Sequence, residues 1–163
     1  MRIACSLGSL LSVEEVIQCT ELVSKTGIDS IWIPETWGME NFSMLGAVAN
    51  KTKTQKIGSS IINIYSRSPS TIAMGSATTD TLSNGRLILG LGTSSVPIVE
   101  DFHGEKFENP VQRMREYVEI IRLSLMKKQI NYSGNIFNLK NFTLLIEPKR
   151  KSIPIYLAAI NEK

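Results

Sequence analysis

The chain has 163 residues, 42% of them hydrophobic and 20% charged; that suits one globular domain with a sizeable core and excludes a disordered polypeptide or a coiled coil. The formal net charge of +3 is mild, and no stretch interleaves Lys or Arg with aromatic residues, which excludes nucleic acid as a partner; the cluster Lys149-Arg150-Lys151 reads as a solvated loop. No run reaches the ~18 apolar residues that span a membrane, and MRIACSLGSL has too short an apolar core for a signal peptide, so the expected location is cytoplasmic.

Ile3 to Leu7 is an apolar run closed by Gly8-Ser9, the pattern of a buried strand. Ser12-Val13-Glu14-Glu15 spells a capping box, in which the serine hydroxyl accepts from the third helical N–H and Glu15 reaches back. Val16, Cys19, Thr20 and Val23 share one face of the helix that follows, and Gly27 ends it. Cys5 and Cys19 sit in apolar runs without metal-ligand spacing and read as buried reduced thiols. Ser30 to Ile33 is a second strand stopped by Pro34, and a helix from about Ser43 to Lys51 leads to a third strand, Ile57 to Ile62. Ser68 and Pro69 are the N-cap and first residue of a helix that runs to about Leu82 and stops at Asn84-Gly85. Arg86 to Leu91 is a fourth strand. Asn109-Pro110 caps the longest helix, about Val111 to Met126, with Val111, Met114, Val118, Ile121 and Leu125 on one face. Ile130 to Leu139 reads as a hairpin turning at Tyr132-Ser133-Gly134-Asn135, and Ile153 to Leu157 is the fifth main strand.

Strands alternate with helices, and the strands are continuously apolar, as in a parallel sheet covered on both faces. A dinucleotide-binding domain would carry GxGxxG after its first strand; the turn here is Leu7-Gly8-Ser9-Leu10-Leu11, so a closed barrel is the better reading. A (β/α)8 barrel needs eight strands and typically ~250 residues. Residues 1–163 therefore read as the N-terminal portion of one barrel domain, truncated to about its first five strands.

Six runs, in order, resemble the luciferase-like flavin- and F420-dependent oxidoreductases: IWIPETWG, IINIYSRSP, DTLSNGRLILGLG, DFHGEKF, PVQRMREYVEIIR and INYSGNIFNLKNFTL. The resemblance covers essentially the whole chain and implies a bacterial-luciferase-like barrel. The N-x-Y-x-R-S-P run at Asn63 to Pro69 places it nearest the branch using coenzyme F420, a 5-deazaflavin, which includes methylenetetrahydromethanopterin reductase. FMN-dependent monooxygenases share the scaffold, so FMN is the alternative cofactor.

Active sites of such barrels lie at the C-terminal ends of the strands, which selects Ser6 to Gly8, Pro34 to Trp37, Ser60 to Tyr65, Gly92 to Ser95 and Ala158 to Asn161. Asn63 can present both a donor and an acceptor to a planar ring. The resemblance places a polar residue beside the ring at Asn63 and a non-proline cis peptide, Ser60–Ile61, in a bulge backing it. It assigns Gly92 and Thr93 to the ring or its side chain, although glycines in a barrel strand also make room for a neighbour. Glu35 is the acidic candidate for catalysis; relatives carry Asp-His where this chain has Glu35-Thr36, which leaves an alcohol-dehydrogenase-like mechanism unsupported. Ser6 stands where the pterin reductases carry a glutamate, Trp37 offers a stacking surface, and Tyr65 is a candidate wall of the substrate pocket. Arg67 reads either as a neutraliser of an acidic cofactor tail or as a surface arginine. His103, the one histidine, reads as a loop-packing residue. The resemblance implies hydride transfer between the deazaflavin C5 and a small organic substrate, and a homodimer formed through barrel helices. A reading of another class is a non-catalytic half-barrel that exists only paired with another chain, because five strands leave two open sheet edges.

Overall fold

A computed structural model of the chain describes residues 1–8, 10–126 and 129–159. The elements are β1 (Ala4–Ser6), α1 (Val13–Val23), β2 (Ser30–Ile33), α2 (Asn41–Lys51), β3 (Lys56–Ser59), β4 (Ile62–Asn63), α3 (Pro69–Leu82), β5 (Leu87–Gly92), a π-helix (Ile98–Phe102), α4 (Pro110–Met126), β6 (Gln129–Ser133), β7 (Asn138–Thr143) and β8 (Ile155–Leu157). All strands but β6 and β7 form one parallel sheet in the order β1-β2-β3-β5-β4, with β8 also on β5; β6 and β7 make a separate antiparallel hairpin. β3 and β4 are the two halves of the third strand, which the sequence reads as one. This is the β/α order of a barrel over its first five strands.

The pleat divides the strand residues between two faces. Ile31, Ile33, Ile57, Leu87, Leu89 and Leu91 are fully buried beneath the helices, against Val16, Leu45, Ile72, Ala73 and Ile121. Burial of each such side chain is worth roughly 1.5–3 kcal/mol, so this layer dominates the energetics. The other face carries Ser6, Trp32, Gly58 and Ile88 in register, and Gly90 opposite Tyr156. On that face the Trp32 and Tyr156 rings lie 5.8 Å apart.

Local chemistry sets the helix ends. Glu15 N donates to Ser12 Oγ at 3.2 Å and Ser12 N to Glu15 Oε2 at 2.7 Å, the expected capping box. Ser68 Oγ accepts from Thr71 N with Pro69 next in line, and Asn84 and Gly85 take φ of 53° and 80° to stop α3. α2 begins two residues before the expected Ser43, because the Glu40 carboxylate accepts from Phe42 N and Ser43 N and caps it. Asn109 adopts φ 49°, not the extended geometry of an N-cap; its carbonyl accepts from Arg113 N. Cys5 and Cys19 are free and only half-buried. No helix among the described residues is long and apolar enough to cross a membrane.

Two buried carboxylates pin the second half of the chain. Glu116 of α4, 1% exposed, accepts from Asn135 N, Ile136 N, Phe137 N and Gln112 Nε2 at 2.8–3.2 Å. Desolvation pushes its pKa up, but these hydrogen bonds outweigh that and hold it below the ordinary carboxylate value. They also move the hairpin turn to Gly134–Phe137: Tyr132 and Ser133 lie inside β6, and the expected turn is displaced along the chain. Asp80 of α3 is fully buried and accepts from Arg150 Nε (3.1 Å), Nη2 (2.5 Å) and backbone N (3.1 Å). The Arg150 guanidinium also donates to Leu87 O at 2.6 Å. The cluster read as a solvated loop thus contains a partly buried ion pair that fixes the approach to β8.

Candidate functional site

The C-terminal ends of β2, β4 and β5 meet around the break in the third strand. Ser60–Ile61 is a cis peptide, as the resemblance implies, and it separates β3 from β4. Ser59 holds the break against β5: its hydroxyl donates to Gly90 O at 2.8 Å and accepts from Gly90 N at 2.7 Å. A Cβ on Gly90 would stand 1.9 Å from Ser59 O, and one on Gly92 would stand 2.6 Å from Ile61 Cδ1. The two glycines therefore admit the bulge, which is the room-making role open to them from the sequence. Thr93, half-buried, follows β5, and Ser94 turns the chain at φ 59°. Sequence reasoning missed Ser59; its signal is a serine opposite a glycine in the next strand, visible only once the register is known.

Ser60 is exposed and Ile61 is half-buried. Asn63, 4% exposed, has its amide orientation fixed because Oδ1 accepts from Tyr65 N at 2.9 Å. Its Nδ2 is buried with no hydrogen-bond partner among the described residues. A buried donor left unmatched costs roughly 1–3 kcal/mol, and Asn41 Oδ1, Ser76 Oγ and Arg113 Nε share this state among the described residues.

Tyr65 lies behind Asn63 and is not a wall facing solvent. It is 5% exposed, its hydroxyl donates to Glu108 O at 2.8 Å, and its ring stacks on Phe107 at 5.3 Å. The Arg113 guanidinium lies 4.4 Å from that ring's centroid, and desolvation raises the Tyr65 pKa. Trp37 is 72% exposed and meets Phe102 of the π-helix edge to face at 5.7 Å, so the loops after β2 and β5 touch through aromatic rings. Phe102 lies in the DFHGEKF run, but the contact with Trp37 carries no local sequence signal.

Glu35 points into the protein. Its Oε2 accepts from Arg67 Nη1 at 2.7 Å; its Oε1 accepts from Arg67 Nη2 at 2.5 Å and from Asn41 N at 3.0 Å. Arg67 also pairs with Glu40. The hydrogen bond to Glu35 is the main cause of the raised Arg67 pKa. Thr36 is half-buried, Ser6 is exposed at the end of β1, and His103 is exposed just after the π-helix. Ala158 donates its N–H to Leu91 O at 2.9 Å, whereas the expected Asn161 lies outside the described residues. A cavity of about 410 Å³ lies at the opposite, N-terminal end of the strands, lined by Ile3, Asp29, Ser30, Lys56 and Tyr156; none of the candidate residues lines it.

Against known proteins, the profile of the family described as luciferase-like monooxygenase matches residues 1–163. The chain belongs to this luciferase-like family. Among curated relatives, a 5,10-methylenetetrahydromethanopterin reductase of Archaeoglobus fulgidus is 38% identical over 144 residues, covering 88% of this chain and 42% of the relative. An F420-dependent glucose-6-phosphate dehydrogenase of Amycolatopsis mediterranei is 27% identical over 158 residues, covering 89% and 47%. Among solved structures, the coenzyme F420-dependent tetrahydromethanopterin reductase of Methanopyrus kandleri superposes with a TM-score of 0.89 at 23% identity, covering 98% of this chain and 50% of that one. The chain therefore spans about half the length of the relatives it matches, and the luciferase-like fold of its parallel sheet is shared with them over that half.

Proposed function

We propose that the chain provides the ring-binding part of an oxidoreductase that uses coenzyme F420 and transfers a hydride between it and a small organic substrate. The observation that carries the reading is the unmatched Asn63 amide beside the Ser60–Ile61 bulge. An N–H donor held in place by Tyr65 N suits the carbonyl-bearing edge of a deazaflavin. When bound, the deazaflavin supplies two-electron hydride chemistry. Ser60 and Ile61 would back the ring, Asn63 would orient its polar edge, and Gly92 and Thr93 would flank it. Ser6 and Trp37 would face an entering substrate, and Tyr65 N–H would hold the Asn63 amide in place. These residues would position the reactants, the main protein contribution to hydride transfer. The F420-dependent relatives support F420 over FMN. Self-association through barrel helices belongs to the same proposal; Met74 and Leu82 on α3, 51% and 61% exposed, support it.

The test is absorbance titration of the chain with coenzyme F420 and, separately, with FMN. Saturable F420 binding is expected, weakened about tenfold or more in N63D, which keeps the acceptor for Tyr65 N but replaces the donor; tenfold is roughly 1.4 kcal/mol. Tight FMN binding with no response to F420 would overturn the reading.

A further inference from the structure

The structure assigns Glu35 and Arg67 a joint positioning role: together they clamp the loop after β2 to the loop after β4 and so set the spacing between Trp37 and Asn63. The assignment rests on the cofactor reading only for what Asn63 faces; the clamp itself is geometry. A sequence reading singles out Glu35 as the acid at a strand end. In the fold both of its oxygens accept from Arg67 and one also from the N–H of Asn41, and its side chain is 10% exposed. A group that exchanges protons with a substrate must face it, and this carboxylate faces a guanidinium.

The contact joins positions 32 residues apart in the chain. On one side Trp37 follows Glu35 by two residues. On the other, Arg67 is tied back to Asn63, because Ser66 N and Ser66 Oγ both donate to Asn63 O (3.2 and 2.8 Å) and Arg67 Nη1 donates to Ser66 Oγ at 3.1 Å. Three further contacts fix the guanidinium and its backbone. It pairs with Glu40, the N-cap of α2; it lies 5.6 Å from the Phe42 ring centroid; and Arg67 O accepts from Tyr117 OH of α4 at 2.5 Å. A guanidinium presents two parallel donors to one carboxylate, a geometry a lysine cannot copy. Removing either partner leaves the other charged and largely buried. The pair therefore behaves as one unit spanning the site.

The test uses 15N-labelled chain carrying E35Q, R67K or both, with the Asn63 side-chain amide and the Trp37 indole N–H as reporters, assigned by N63D and W37F. Each single variant is expected to stay folded by circular dichroism and to shift both reporters together. Each is expected to weaken coenzyme F420 binding about tenfold, and the double variant no more than either single one, as for two residues acting through one contact. Folded variants whose two reporters stay at their wild-type positions would overturn the clamp. So would multiplicative losses in the double variant, or an E35Q that binds F420 as the wild type does. If wild-type chain does not bind F420, the cofactor reading fails and the two reporters still decide the clamp.

Discussion

Glu116 offers the sharpest test of the packing argument. Its carboxylate, 1% exposed, is the shared acceptor for Gln112 Nε2 and three successive N–H groups of the hairpin turn. Hydrogen bonds to a charged group contribute about 1.5–3 kcal/mol each, and a shared acceptor gives less than their sum. E116Q keeps one acceptor oxygen and loses the charge, so it should cost about 2 kcal/mol; E116A should cost about 4 kcal/mol, the scale seen when a buried charged network is broken. In a domain of this size E116Q then lowers Tm by roughly 4–8 °C at neutral pH. The sign with pH is fixed as well. The folded carboxyl titrates below its ordinary value, so its contribution is full above the unfolded pKa of about 4.3 and disappears as the pH falls through the folded-state value. Urea melts at pH 7 and across the acid range measure both effects. An E116Q within about 0.5 kcal/mol of wild type at pH 7, or a gap that does not narrow on acidification, would show that the Glu116 charge does not hold the hairpin.

Three other outcomes follow from named contacts. G90A places a Cβ 1.9 Å from a backbone oxygen that cannot rotate away, so it should destabilise by about 3 kcal/mol and weaken F420 binding, read by melts and titration. S59A, which removes both hydrogen bonds to Gly90, should cost about 2 kcal/mol in the same melts. D80A leaves the Arg150 guanidinium without its carboxylate and should cost about 3–5 kcal/mol, with hydrogen exchange in β8 rising first; unchanged protection there would argue against the anchoring role.

Periodicity and capping residues carried most of the fold. Ser12-Glu15, Ser68-Pro69 and Asn84-Gly85 are local signals, and each marks the boundary observed. What failed was non-local. The hairpin turn sits at Gly134–Phe137 because Glu116, nearly two helical turns into α4, gathers those N–H groups, and no window around residue 134 contains that information. Arg150 looked like one of three solvated cations because Asp80 lies seventy residues away in the chain. At the strand ends, the position rule and the resemblance single out Ser60, Ile61 and Asn63, which the fold gathers at one break in one strand. Glu35 and Tyr65 are singled out by the same rule, but type and position do not say which way a side chain points. Glu35 is drawn to Arg67 and Tyr65 to Glu108 O, both contacts between distant segments.

On the proposed reading, the break at Ser60–Ile61 and the Asn63 amide beyond it receive a deazaflavin ring. Chemical-shift mapping of 15N-labelled chain titrated with coenzyme F420 addresses it most directly. Saturable shifts are expected on the Ser60 and Ile61 backbone amides, the Asn63 side-chain amide and Thr93, with the residues lining the 410 Å³ cavity at the other end of the strands unmoved. Saturable shifts that map to that cavity and leave Asn63 at its free position would contradict it.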